Sequence, residues 1–153
     1  MLTVKASKMT AGGLIEKEYT FDTATDFGIN EDNLDGEVCV ISQNLCNYGE
    51  VYGLLKAQLA VHESDEDRLE AHYDLWFRDP TKFPIKAGEK LTEKKIKSLV
   101  ASQPAMQQAV DKTNATKRDF YQVENLYRSL HRKVDMLEAL SFRRNAELKA
   151  TKW

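Results

Sequence analysis

A chain of 153 residues fits one domain; its 42% hydrophobic content supplies a core, and its 30% charged residues favour an elongated one. The formal net charge of −2 conceals a sorted distribution, with 16 acidic and 6 basic side chains in residues 1–79 against 8 acidic and 16 basic in residues 80–153. An acidic front and a basic back, without a cysteine cage, a glycine-rich phosphate loop or a catalytic constellation, argue against an enzyme and for a polyanion-binding or protein-binding chain. Met1 opens onto Lys5 and Lys8 with no apolar stretch of signal or membrane-spanning length, so a soluble, cytoplasmic protein is expected. Cys39 and Cys46, seven residues apart, would stand about 10 Å apart on a helix, too far for a bridge; they read as reduced, small packing residues. The sequon Asn114-Ala115-Thr116 means little without a secretory signal.

In chain order, Leu2, Val4 and Ala6 alternate with Thr3, Lys5 and Ser7. Thr10-Ala11-Gly12-Gly13 then supplies turn chemistry, and Ile15, Lys17, Tyr19 and Phe21 alternate with Glu16, Glu18 and Thr20. This predicts a β-hairpin. A lone hairpin is marginal in water, so it must pack on helices or pair with a neighbouring subunit; the alternative is a disordered arm. Residues 23–35, rich in Asp, Asn and Gly, read as a connector, so residues 1–34 form an N-terminal segment ahead of a helical part at 35–153.

A long helix follows. Val38, Ile41, Leu45, Tyr48, Tyr52, Leu55 and Leu59 continue through His62, Glu66, Leu69, Tyr73 and Trp76 at alternating spacings of three and four, one seam about 58 Å long at 1.5 Å per residue. Gly49 and Gly53 are its weak points, at about 1 kcal/mol each against alanine. Either the helix breaks near Asn47-Tyr48-Gly49, or Cys39, Cys46, Gly53, Ala57 and Ala60 form a small-residue face for another helix; we prefer the second.

Pro80 ends this helix, and Pro84 keeps the chain turning. Thr92 offers an N-cap to a short helix over Glu93–Val100 with Ile96, Leu99 and Val100 on its buried face. Pro104 opens a second rod reaching about Lys149, with Phe120, Val123, Tyr127, Leu130, Val134 and Leu137 on its seam and Leu148 back in register. The predicted fold is therefore mainly α: two long amphipathic helices as an antiparallel hairpin, a short intervening helix and a small N-terminal β-hairpin.

Few residues offer chemistry. His62 and Glu66 at i, i+4 lack a third ligand and read as a polar layer in the seam, so no metal is expected. Ala87-Gly88-Glu89-Lys90-Leu91-Thr92 superficially resembles the end of a phosphate loop, yet the earlier glycine, the Lys-Ser/Thr adjacency and the preceding strand are missing, so no nucleotide cofactor is expected. The remaining candidates are basic. Lys82, Lys86, Lys90, Lys94, Lys95 and Lys97 cluster with Phe83 in the linker and short helix, while Arg128, Arg132, Lys133, Arg143, Arg144, Lys149 and Lys152 line the last rod. Cations neutralise phosphates without reading sequence, and Phe83, Trp76 or Phe77 would stack on unpaired bases, a combination that suits a single strand of nucleic acid. Against this, helix-face lysines are usually solvated, some arginines will pair with the acidic front, and Trp76 suits a core.

The order Ala71-His72-Tyr73-Asp74-Leu75-Trp76-Phe77, then Gly88-Glu89-Lys90-Leu91-Thr92-Glu93-Lys94-Lys95-Ile96, then Lys133-Val134-Asp135-Met136-Leu137-Glu138-Ala139-Leu140-Ser141-Phe142-Arg143-Arg144 resembles the phage recombination mediators of the UvsY type over residues 35–150. The N-terminal hairpin is unmatched. The resemblance implies a non-enzymatic helical protein that forms a ring-like homo-oligomer, binds single-stranded DNA and helps a recombinase displace the single-strand-binding protein. In that family basic side chains near the end of the first long helix contribute to strand binding; the corresponding stretch here, Leu69 to Asp74, reads Glu70 and His72. The binding surface is therefore expected on the lysines that follow, and the alternative function is a helical adaptor or phage assembly chaperone that binds protein partners.

Overall fold

The computed structural model describes residues 1–11, 13–84 and 91–150, with Met9 described in its backbone only. In chain order the elements are β1 (Leu2–Thr10), β2 (Gly13–Phe21), α1 (Thr23–Phe27), a 3-10 turn (Glu31–Asn33), α2 (Leu34–Arg78), α3 (Glu93–Ala101) and α4 (Pro104–Ala150). The expected architecture is present: two long helices, a short one between them and an antiparallel hairpin whose register runs from Leu2 opposite Phe21 to Thr10 opposite Gly13. Gly13 holds φ at +114°, which a side chain rarely tolerates, and Thr10 Oγ1 donates to its carbonyl at 2.9 Å. None of the described helices is long and apolar enough to cross a membrane.

The chain forms two compact units that cut across both long helices. Unit 1 comprises residues 1–56 and 119–153, and unit 2 residues 57–118. Unit 1 is built on two heptad series, Ile41, Tyr48 and Leu55 on α2 and Val123, Leu130 and Leu137 on α4, all buried. The helices run antiparallel there: Tyr52 stacks on both Phe120 and Tyr127, at centroid distances of 5.3 and 5.5 Å. The hairpin lies on this core. Alternation turns Val4, Ala6 and Phe21 inward, and Phe21 meets Tyr48 at 4.1 Å between centroids.

Three sequence expectations for unit 1 need correction. The stretch at 23–35 is not a plain connector, since it carries α1 and the 3-10 turn and is fastened by polar contacts. Asp26 accepts hydrogen bonds from the Tyr48 hydroxyl at 2.7 Å and from Asn44 Nδ2 at 3.1 Å. Asn33 caps α2 by accepting from the Gly36 amide at 3.2 Å, and a Cβ at Gly36 would overlap that side chain. Second, α2 runs unbroken through Gly49 and Gly53, but the small-residue face is not covered by a helix. Cys39, Cys46, Gly53, Ala57 and Ala60 are each exposed; a Cβ added at Gly53 would meet nothing within 4 Å, while one at Gly49 would meet the Tyr127 ring. Third, Val38 and Leu148, placed on the seams by spacing, are 46% and 54% exposed, Val38 on an open groove between α2 and α4.

In unit 2 α2 ends at Arg78, and the chain reverses at Asp79, whose carbonyl accepts from Phe83 N at 2.9 Å and whose carboxylate accepts from Thr81 N at 2.9 Å. Thr92 caps α3, accepting from Lys95 N at 3.3 Å, as predicted. Ile96 and Val100, with Leu99 half-buried, join Phe77, Met106, Trp76 and Phe83 in a second core. The polar layer at His62 is satisfied by Thr116, at 3.0 Å between Nδ1 and Oγ1.

One cation is internal. Lys133 is 4% exposed; its Nζ donates to the Asp26 carbonyl at 3.1 Å and pairs with Glu37 at 2.8 Å. The ammonium hydrogen bond holds the Glu37 carboxyl below its ordinary pKa, despite the opposing effect of desolvation. A depressed carboxyl contributes stability above its unfolded pKa of about 4.3 and loses it as pH falls through the folded value. We expect Lys133→Ala to cost about 1–3 kcal/mol in urea unfolding at pH 7, whereas Arg132→Ala stays within about 0.5 kcal/mol. Between about pH 5 and 3 the wild type will lose stability more steeply than the Lys133 variant. Gly53→Ala, with no neighbour within 4 Å of the added carbon, will raise the stability of a single copy by about 1 kcal/mol.

Candidate nucleic-acid interface

The basic candidates meet three different fates. On α3, burial of Ile96 and Val100 fixes the rotation of the helix and leaves Lys94, Lys95 and Lys97 exposed. Lys94 and Lys97 form no ion pair among the described residues. Lys82 is exposed beside Asp79, at 3.6 Å. Phe83 is half-buried, edge-on to Phe77 at 5.1 Å and tilted against Trp76 at 5.8 Å, so its ring belongs to the second core rather than to an open stacking platform. Lys86, Lys90 and Lys152 lie outside the described residues, as does the stretch resembling a phosphate loop up to Lys90.

On α4 the candidates diverge within one turn. Arg132 is exposed, while Lys133 is withdrawn into unit 1; its expected role at a DNA surface is therefore corrected to an internal one. Arg128 reaches back to Glu124 at 2.8 Å and Arg143 forward to Glu147 at 3.0 Å, both i, i+4 pairs on exposed helix. Arg144 and Lys149 are exposed. Such pairs hold about 0.3–0.5 kcal/mol each, so they leave a guanidinium available to a stronger anion.

Arg78 is the residue that spacing did not single out. Its guanidinium forks to Asp74 at 2.7 and 3.2 Å and to Glu93 at 2.6 and 2.8 Å, joining the end of α2 to the first turn of α3. Hydrogen bonding to both carboxylates raises the Arg78 pKa further, and Arg78 in turn lowers those of Glu93 and Asp74. Its partner at Asp74 was legible as an i, i+4 pair, but Glu93 lies fifteen residues on, beyond the reach of helical periodicity. Arg78 is thus a positioning group for the α3 lysines, and Lys97 sits close enough to Asp74 and Glu93 to lower both further.

The described residues contain no group of three or more His, Cys, Asp or Glu side chains placed to hold a metal ion. An apolar groove of about 500 Å³ lies in unit 1, between the start of α2 and the end of α4, lined by Val38, Ile41, Leu45, Val134, Leu137 and Phe142 among others. Comparison with protein-family models, with curated proteins and with solved structures finds no match for this chain.

Because Arg78 and the Thr92 cap together set the start of α3, Arg78→Ala should lower the melting temperature by several degrees with little change in far-UV helicity. It should also make amide exchange in residues 93–101 faster while exchange in residues 123–137 is unchanged.

Proposed function

We propose that this protein is a non-enzymatic recombination mediator that binds single-stranded DNA and assists loading of a recombinase in place of the single-strand-binding protein. It works in the cytoplasm, that of the host where the chain is encoded by a phage, as a ring-like homo-oligomer. The observation that carries the reading is the exposed lysine set of α3, fixed outward by burial of Ile96 and Val100 and by the Arg78 fork. The sorted charge of the chain and the order of segments in its helical part support it further. With Phe83, Trp76 and Phe77 engaged in the second core, contact runs through phosphate rather than through base stacking. A few phosphate contacts per copy are weak alone. Repeated around an oligomer they hold a strand by avidity, and each releases quickly enough for a recombinase to take over.

The rival reading is a helical adaptor or assembly chaperone for a protein partner, and the apolar groove between Val38 and Phe142 is the observation in its favour. Anisotropy of a labelled oligonucleotide at two salt concentrations separates the two. A mediator that meets three or four phosphates per copy should lose roughly 20–50-fold in affinity per copy between 50 and 200 mM salt. The double variant Lys94→Glu, Lys97→Glu should weaken binding at least tenfold with an unchanged far-UV spectrum. An adaptor would leave the oligonucleotide unbound at both salts, and equal binding by the double variant would remove α3 as the surface.

A further inference from the structure

The two strands of the hairpin carry opposite charge on their outer face, Lys5 on β1 against Glu16 and Glu18 on β2. Its sheet has only two strands, so β1 and β2 each present one side that no strand among the described residues pairs, over nine residues apiece. In an antiparallel pair every second residue of each strand turns its amide and carbonyl to the outside, which makes both edges templates for strand addition. Proteins usually blunt such edges with charge, and one sign on both edges would repel every copy. Here the signs differ. On the outer face β1 carries Lys5 and no acid, whereas β2 carries Glu16 and Glu18; Lys8 and Lys17 lie on the inner face, where Lys8 pairs with Glu50 of α2 at 2.8 Å.

We propose that the hairpins of successive copies pair edge to edge, β1 of one copy against β2 of the next, in a continuing antiparallel sheet. Pairing β1 with a second β1 sets lysine against lysine, and pairing β2 with a second β2 sets glutamate against glutamate. Only the mixed pairing brings opposite charges together. The apolar tip fits the same arrangement, because Leu14 and Ile15 are 68% and 53% exposed on a strand whose inner face is otherwise anchored to unit 1 by Phe21. A neighbouring strand would cover both. The contact is head to tail, so it closes a ring or grows a filament rather than stopping at a pair. It concerns the N-terminal segment alone and rests on the proposed function only in expecting that copies assemble.

The test is a charge exchange in the full chain, followed by light scattering and sedimentation. Lys5→Glu alone and the double variant Glu16→Lys, Glu18→Lys alone each place like charges across the mixed edge. Each should dissociate at concentrations at least tenfold above those at which the wild type holds together, with the far-UV spectrum retained. An equimolar mixture of the two restores opposite charges at every junction and should recover the wild-type mass. Variants that keep the wild-type mass, a mixture that fails to recover it, or a wild type that is monomeric would each overturn the proposal. Oligonucleotide anisotropy on the same samples reads the DNA surface separately: weak binding that persists in the dissociated variants leaves that reading standing while the edge fails or holds on mass alone.

Discussion

Unit 1 depends on the burial of a single ammonium group. Lys133 lies next to Leu130, Val134 and Leu137, on the face of α4 that meets the core, where a charge cannot remain without acceptors. It takes one from the backbone of α1, at the Asp26 carbonyl, and one from the first turns of α2, at Glu37, whose carboxylate also accepts the Asn30 amide at 3.0 Å. The side chain of the same Asp26 receives the Tyr48 hydroxyl, and the Tyr48 ring lies against Phe21, the last residue of β2. A chain of contacts thus runs from α4 through α1 to α2 and the hairpin. Removing the ammonium leaves a partly buried carboxylate and a carbonyl without a partner and loosens the segment that orients the hairpin. An apolar side chain at 133 would pack as well, but it would not specify where residues 22–33 lie.

This use of one cation bears on how the basic half is spent. The acidic front does quench part of it, through Lys133 with Glu37 in unit 1 and Lys117 with Glu63, at 3.1 Å, in unit 2. The two cases differ in kind. Lys133 is sealed and its pair cannot be exchanged for phosphate without unfolding, whereas Lys117 and Glu63 are 41% and 48% exposed and held by a screened interaction. Arg128 and Arg143 find ion-pair partners on α4 itself, while Arg143 and Arg144 also share a cavity with Glu31 and Asp32 of the front. Formal charge therefore overstates the available positive surface by the buried residue but not by the exposed pairs.

The parts of this structure that were legible in the sequence are those decided locally. Heptad spacing located both long helices, Pro80 the end of the first, Thr92 the start of the short one, and Gly13 the start of the second strand of the hairpin, because each acts within a few residues of itself. The fate of Lys133 was not legible. Its acceptor at Asp26 is 107 residues away, and on a helical wheel it differs from the exposed Arg132 only by one step of rotation. Gly53, Ala57 and Ala60 gave a misleading signal for the same reason: small residues permit close packing, but only the arrangement of other elements decides whether anything occupies the space. Val38 shows the converse, a seam position left 46% exposed where α2 and α4 enclose an open groove instead of a packed seam.

At α3 a local rule is set aside. Lys94 and Lys95 sit in the first turn, at the positive end of the helix, where a cation costs about 0.3–1 kcal/mol, and Glu93 and the Thr92 cap offset only part of it. Exchanging the lysines for acids would favour the helix and would suit the Arg78 guanidinium that already gathers Asp74 and Glu93. Natural chains break local consistency mainly where a partner supplies the compensation, and the partner that compensates cations beside a positive helix end is an anion. The Arg78 fork holds α3 in place against that repulsion, and under the proposed function phosphate would supply the compensating charge.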